Sequence, residues 1–231
     1  VKQKISMCLA VLSDKKRLLM RSCRIKLNIY MKNHANKNNN KKAEQEILLE
    51  AAKVHTEFDE KGDTRLINYL AKHNHWSPFG HASMQFYIKA PVFVARQLDK
   101  SRVGLTWNEV SRRYVDTEVE FYEPTEWRLA AENKKQGSSE ETVEYSISPA
   151  HKFAKQCYEN MLNLGIAPEM ARMVLPQSMM TEWYWSGSLF AFARVCNLRC
   201  KPDVQKETRD ICEQISKECG KHFPISWKYL I

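Results

Sequence analysis

The sequence predicts an α+β fold, a modest and mostly antiparallel sheet flanked by long helices. Three observations carry this expectation. Short segments alternate polar and apolar residues, as half-buried strands do. Longer segments carry helical periodicity between proline starts and a glycine stop. Only seven glycines occur, none in a dinucleotide fingerprint or a phosphate-cradling loop, so a doubly wound nucleotide fold is poorly supported. A chain of 231 residues suits one large domain, or a domain plus an extension.

Taken in order, Arg24–Ile29 alternates polar and apolar residues and predicts a strand. The run Lys32–Lys42 is polar and of low complexity, which predicts a loop or linker. Ala43–His55 gathers Ile47, Leu48, Ala51, Ala52 and Val54 on one side of a helix, and Arg65–Lys72 gives a second, short helix. Met84–Lys89 alternates as a strand, after which Pro91 opens a helix over Val92–Asp99. Val119–Tyr122 predicts another strand, and Glu132–Ser139 an exposed loop. A long amphipathic helix spans Val143–Leu164 and stops at Gly165; Pro168 opens the next. Pro202 opens a last long helix with Val204, Ile211, Cys212 and Ile215 inward.

Composition narrows the function classes. Hydrophobic residues at 43% and charged residues at 27% are those of a globular domain, and no run reaches the ~18 apolar residues of a membrane span. Val1–Leu12 has no clean apolar core before a small-residue cleavage site, so no secretory signal is expected. Seven cysteines, an odd number with no Cys-x-x-Cys pair, argue against a disulfide framework or a zinc ribbon. A reducing, cytoplasmic setting and idle thiols are expected. The net charge of +9 invites a nucleic-acid reading, but residues 1–42 hold twelve Lys/Arg against the single acid Asp14. The remainder, with 24 basic and 26 acidic residues, has a net charge of −2.

The densest polar segment is Ala95–Tyr114. Lys100, Arg102, Arg112 and Arg113 are interleaved with Ser101 and Ser111, a donor set that suits phosphate. Asn108 and Glu109 add groups able to read amide, ribose or base edges. A solvated basic helix face is the ordinary alternative. Arg172, Arg194 and Arg199 each stand within an apolar stretch, so each needs a carboxylate, backbone carbonyls or an anionic ligand. A structural ion pair serves any one of them; three such segments weigh toward a shared anion. His73, His75 and His81 lie together, but without nearby acidic or sulfur ligands, so no metal site is expected.

Together these segments resemble the flavin-dependent thymidylate synthases. The family hallmark is Arg-His-Arg, seven residues, then Ser, within a frame of Ala-Arg-Gln and Asn-Glu-x-Ser-x-Arg-Tyr. Here Ala95-Arg96-Gln97 precedes Asn108-Glu109-Val110-Ser111-Arg112-Arg113-Tyr114. His75-Trp76-Ser77-Pro78-Phe79-Gly80-His81 is similar to the family's His-x-Thr/Ser-Pro-Phe-Glu-His, and Ala51-Ala52-Lys53-Val54 to its Ala-Ala-Arg-Val. Ala171–Pro176 matches Ala-Arg-x-Val-Leu-Pro, with Asn197-Leu198-Arg199 and Gln205-Lys206-Glu207 at fitting spacing. The resemblance covers residues 43–231 and divides the chain into a basic extension, 1–42, and a synthase domain, 43–231.

The departures are specific. Lys100-Ser101-Arg102 replaces Arg-His-Arg, and eight residues instead of seven separate Arg102 from Ser111. Ser188, Phe190, Arg194 and Asp203 stand where the family tends to place flavin-contacting Asn, Arg, Asn and His.

The resemblance implies methylation of dUMP to dTMP, with FAD as cofactor, NADPH as reductant and methylenetetrahydrofolate as co-substrate. It implies Arg199 as the catalytic group at the uracil edge. Ser111, Arg113 and Arg172 would hold the phosphate, and Glu109 the ribose region. Gln97, Leu98, Asp99 and Lys100 would line the nucleotide together with Val110 and Arg112. His75, Ser77, Lys100, Ser101, Arg102, Glu109, Ser188 and Arg194 would face the flavin. It also implies a homotetramer with shared sites, no membrane and no specific nucleic acid. Two other readings stand beside it: a homologue that binds nucleotide or flavin without turnover, suggested by Lys100-Ser101, and a nucleic-acid binder using residues 1–42. A flavin absorption band in the purified protein separates the enzyme from the nucleic-acid binder.

Overall fold

The computed structural model describes residues 24–28, 60–114, 118–132 and 137–231. The expected linker at 32–42 and helix at 43–55 lie outside the described residues, as does part of the loop at 132–139.

Four strands form one antiparallel sheet in the order β1 (Arg24–Asn28), β2 (Ser83–Pro91), β6 (Met180–Ser188), β3 (Leu105–Glu109). Two-residue strands β4 (Trp127–Arg128) and β5 (Thr142–Val143) pair separately. The helices are α1 (Glu60–Lys72), α2 (Ser77–His81), α3 (Val92–Leu98), α4 (Ser148–Asn163), α5 (Pro168–Ala171), α6 (Leu189–Arg199), α7 (Lys206–His222) and α8 (Pro224–Leu230).

The period of two in β2 sets the layers. Met84, Phe86, Ile88 and Ala90 point inward with Trp183 and Trp185 of β6, and Trp107 of β3 stacks on Trp183 at 4.4 Å. Val94 and Leu98 of α3, Phe192 of α6, and Ile211, Cys212 and Ile215 of α7 cover that face. Phe192 meets Phe86 edge-on at 4.9 Å, which ties α6 to the sheet. Such aromatic pairs contribute about 0.5–1.5 kcal/mol each beyond the area they bury. On the opposite face Gln85 donates to Ser186 at 2.8 Å, and Lys89 lies 2.8 Å from Glu120 and 3.5 Å from Glu182. Tyr87 donates to Glu182, and burial with that carboxylate raises the phenol pKa. The result is the expected α+β arrangement with antiparallel strands.

Several elements differ from expectation. Val119–Tyr122 contributes only a bridge from Phe121 to Met179, because its backbone is tied to the 178–180 turn rather than to a strand along its length. The helix expected over Val143–Leu164 begins at Ser148, with Pro149 in its first turn; Thr142 and Val143 pair with Arg128 and Trp127 instead. The helix after Pro168 runs four residues before a 3-10 turn at Arg172–Val174. Pro202 does not open the last long helix, which starts at Lys206. Residues 105–109, inside the polar segment Ala95–Tyr114, form β3. Gly187 permits that pairing: a Cβ there would lie 2.5 Å from the Gly104 carbonyl oxygen and 2.4 Å from Leu105 Cδ2. Among the described residues no helix is long and apolar enough to cross a membrane.

Candidate active site

A cavity of about 870 Å³ opens between α3, the end of β3 with its following turn, and the α5–β6 segment. Backbone bonds assemble its walls. Val92 and Phe93 donate to Met179 and Gln177 at the start of α3, and Val110 donates to Glu182 as β3 ends. His151 braces the same turn from behind: buried on α4, it meets Ser178 at 2.8 Å and Glu123 at 3.3 Å and stacks on Phe121.

The lining brings together Asp99, Glu109, Val110, Ser111, Arg112, Arg113 and Arg172, which the sequence singled out from two distant segments. It adds Arg96 and Thr181, which it did not. Arg96 lay within a motif already noted, Ala95-Arg96-Gln97; nothing in the sequence marked Thr181, whose role follows from strand pairing alone. Thr181 donates to one Glu109 oxygen at 2.7 Å, and the Trp107 indole N–H to the other at 3.3 Å, which fixes the carboxylate at the rim.

Arg112 donates to the Glu118 carbonyl at 3.1 Å. Arg113 reaches only the Ser111 hydroxyl, at 3.3 Å, and lies 5.1 Å from the centre of the Tyr114 ring. Arg172 donates to the Glu169 carbonyl at 3.3 Å. Among the described residues no carboxylate pairs with Arg96, Arg113 or Arg172. Asp99, Glu109 and Glu169 share this lining but none of them pairs with those three cations, so an anion held among them would form charge-assisted bonds that the protein itself leaves unmade.

Other expected site residues lie elsewhere. Gln97 and Arg199 meet on the α7 side of α3, where Arg199 Nη2 donates to the Gln97 carbonyl at 3.4 Å. The Gln97 amide bonds Gln205 and accepts from Thr208 at 3.1 Å. Arg199 Nε is buried with no hydrogen-bond partner. The Leu98 side chain is wholly buried, so it lines no surface of this chain. Lys100, Ser101 and Arg102 form the turn after α3, where Arg102 pairs with Asp99. His75 and Ser77 lie exposed at the start of α2. Ser188 caps α6, accepting from the Ala191 N–H at 3.2 Å, and Arg194 lies exposed one turn after Phe190.

Outside the cavity lining, Arg128 donates to Glu207 at 2.7 Å and to Ser138 at 2.8 Å. Burial pushes the Glu207 carboxyl up, but the Arg128 hydrogen bond and charge bring it below the ordinary carboxylate value. Among the described thiols only Cys200 is lowered, by its hydrogen bond with Cys196. Burial raises Cys212 and Cys219, and a hydrogen bond with Cys200 together with burial raises Cys196. Among the described residues no group of three or more His, Cys, Asp and Glu is placed to hold a metal ion.

Residues 13–225 match the family model Thy1, described as thymidylate synthase complementing protein. The chain belongs to this family, the flavin-dependent thymidylate synthases. The flavin-dependent thymidylate synthase of Thermus thermophilus is 37% identical over 169 residues, covering 71% of this chain. That match spans 62% of the Thermus protein's own length. The Kosmotoga olearia enzyme is 34% identical over 181 residues, covering 72% of this chain and 75% of that one. Among solved structures, the UMP/dUMP methylase PolB of Streptomyces cacaoi with 5-Br UMP is similar at TM-score 0.72 and 28% identity. That alignment covers 90% of this chain and 94% of the PolB chain.

The family name brings a flavin, and the donor set fits one. His75, Ser77, Lys100, Arg102 and Arg194 are exposed hydroxyl, imidazole and cationic groups, the types that hold a ring edge and a diphosphate.

Proposed function

We propose that this chain converts dUMP to dTMP, with FAD as cofactor, NADPH as reductant and methylenetetrahydrofolate as one-carbon donor. The observation that carries the reading is the trio Arg96, Arg113 and Arg172, without carboxylate partners among the described residues around one cavity of about 870 Å³. A nucleotide phosphate supplies the missing anion. Ser111 adds a hydroxyl, and Glu109, fixed by Thr181 and Trp107, accepts from ribose hydroxyls at the rim.

Bound FAD supplies the redox chemistry, and the protein positions and polarises. Arg199 is the group at the uracil edge, where it stabilises negative charge that grows on the ring. Its bond to the Gln97 carbonyl orients the guanidinium. Gln97, Asp99 and Lys100 with Val110 to Arg112 frame the nucleotide, while His75, Ser77, Lys100, Ser101, Arg102, Glu109, Ser188 and Arg194 take the flavin. The reading includes a homotetramer in which one copy completes another's site. Residues 43–231 are then the synthase domain and residues 1–42 an extension, although the family match itself begins at residue 13.

The test is turnover by the purified chain with FAD, NADPH, methylenetetrahydrofolate and dUMP. dTMP and tetrahydrofolate are expected in equal amounts, with a flavin absorption band in the protein. Stoichiometric dihydrofolate, or no turnover by flavin-loaded protein, defeats the reading. Because PolB is by name a methylase of both UMP and dUMP, UMP belongs in the same assay as a competing substrate.

A further inference from the structure

We propose that the Arg128–Glu207 ion pair is a positioning element for the nucleotide, acting through the start of α7 on the Gln97 amide; this rests on the reading above that puts Gln97 beside dUMP. The starting point is a charge pair that the reaction leaves unused. Glu207 is 7% exposed, and a carboxylate so buried is costly unless partners hold it. Arg128 meets it at 2.7 Å and the Tyr122 hydroxyl at 3.4 Å.

Arg128 reaches Glu207 from the second, small sheet. Trp127 and Arg128 pair with Val143 and Thr142, and the Leu129 backbone bonds Glu141 and Ser139. The guanidinium is held on two sides, because its Nε donates to the Ser138 hydroxyl while its Nη2 donates to Glu207. The same segment seats against the turn before α7 at Gly137. At φ 87°, a Cβ there would lie 3.1 Å from the Asp203 carbonyl oxygen, an approach that glycine permits.

Glu207 shares the start of α7 with the two groups that hold Gln97. The Gln97 amide nitrogen donates to Gln205 Oε1, and its carbonyl oxygen accepts from the Thr208 hydroxyl at 3.1 Å. Thr208 is wholly buried, and the Gln205 side chain also helps keep the Glu207 carboxyl charged. The ion pair thus fixes residues 205–208 against the small sheet, and those residues grip Gln97 by both polar atoms. A primary amide has two N–H donors and two carbonyl lone pairs. With one of each taken, one donor and one acceptor remain for the nucleotide, in directions set by the grip. A side chain already held loses little freedom when its ligand arrives.

Calorimetric titration of dUMP into the flavin-loaded full chain, beside a melting curve for each variant, is the test. Arg128→Met is expected to weaken dUMP by roughly two- to tenfold, the cost of immobilising one flexible side chain on binding. Arg128→Lys keeps the charge beside Glu207 and should retain most of the affinity. Thr208→Val removes one anchor of Gln97, leaves the ion pair, and should give a loss of similar size. Gln97→Met alone should weaken dUMP, and adding Arg128→Met to it should change the affinity no further. Full dUMP affinity in Arg128→Met, with or without a lower melting temperature, makes the pair a stabilising contact only and overturns the proposal. Losses that add in the double variant overturn it too, because Arg128 then acts by another route. If Gln97→Met binds dUMP like wild type, Gln97 does not face the nucleotide, and the proposal fails while the dUMP reading stands. Wild-type protein that binds no dUMP removes the dUMP reading itself, and the proposal with it.

Discussion

Replacing Arg113 by alanine tests the placement of the substrate. The Arg113 guanidinium is exposed, bonds only the Ser111 hydroxyl among the described protein groups, and lies over the Tyr114 ring. Truncation therefore removes no ion pair found among the described residues, and stability should move by no more than about 0.5 kcal/mol. A phosphate in the cavity is a different matter. A hydrogen bond to a charged group contributes about 1.5–3 kcal/mol, which is roughly ten- to a hundredfold in dUMP affinity. The phosphate carries the same charge in ground and transition states, so single-turnover rates at saturating dUMP should stay close to wild type. Arg113→Lys should recover only part of the loss, since an ammonium keeps the charge but not the planar fork. Calorimetric titration of dUMP at fixed ionic strength, beside a melting curve, makes the measurement. Affinity within about twofold of wild type, or a large fall in melting temperature without a binding defect, refutes the placement. Arg199→Ala is the contrasting arm: its loss should slow the chemical step more than it weakens dUMP.

Two further outcomes follow from the electrostatics and the thiols. Glu207 has a folded-state pKa below its ordinary value, so its contribution is present above the unfolded pKa and is lost as pH falls through the folded one. Arg128→Met removes the hydrogen bond and charge that oppose burial, so the folded-state pKa rises and the stability lost on acidification through this group shrinks. Urea denaturation across the carboxylate range, roughly pH 3 to 6, reads the slope, and an unchanged slope means that the pair is idle. Cys196→Ser and Cys200→Ser should each retain dTMP formation, with some loss of melting temperature for the buried Cys196. Abolished chemistry in a folded, FAD-bound variant would show that a thiol acts in the reaction.

Much of the fold could be read from local pattern because local physics governs it. The alternation of Met84–Lys89 placed β2 correctly, and Pro91 marked the start of α3. Gly165, at φ 80°, ended α4 where expected. Starts were less legible where two devices competed. α4 begins at Ser148, five residues after Val143, because Thr142 and Val143 are taken by β5. Val119–Tyr122 has strand composition but bonds to a turn, which no periodicity reveals.

The sequence by itself determined most of the elements, the cluster of cations in Ala95–Tyr114, and, through four ordered motifs, the family. It also separated the basic N-terminal segment from a nearly neutral remainder, since charge is a property of composition. Tertiary structure decided which cations share a cavity. Arg96, Arg113 and Arg172 come from α3, the turn after β3 and the turn after α5, and they converge only because the starts of α3 and β6 are tied through the 177–180 turn. It likewise set Thr181 against Glu109, residues 72 positions apart whose hydrogen bond depends on β3 pairing with β6. Contacts over such separations are fixed by packing and strand register, and no local pattern encodes them.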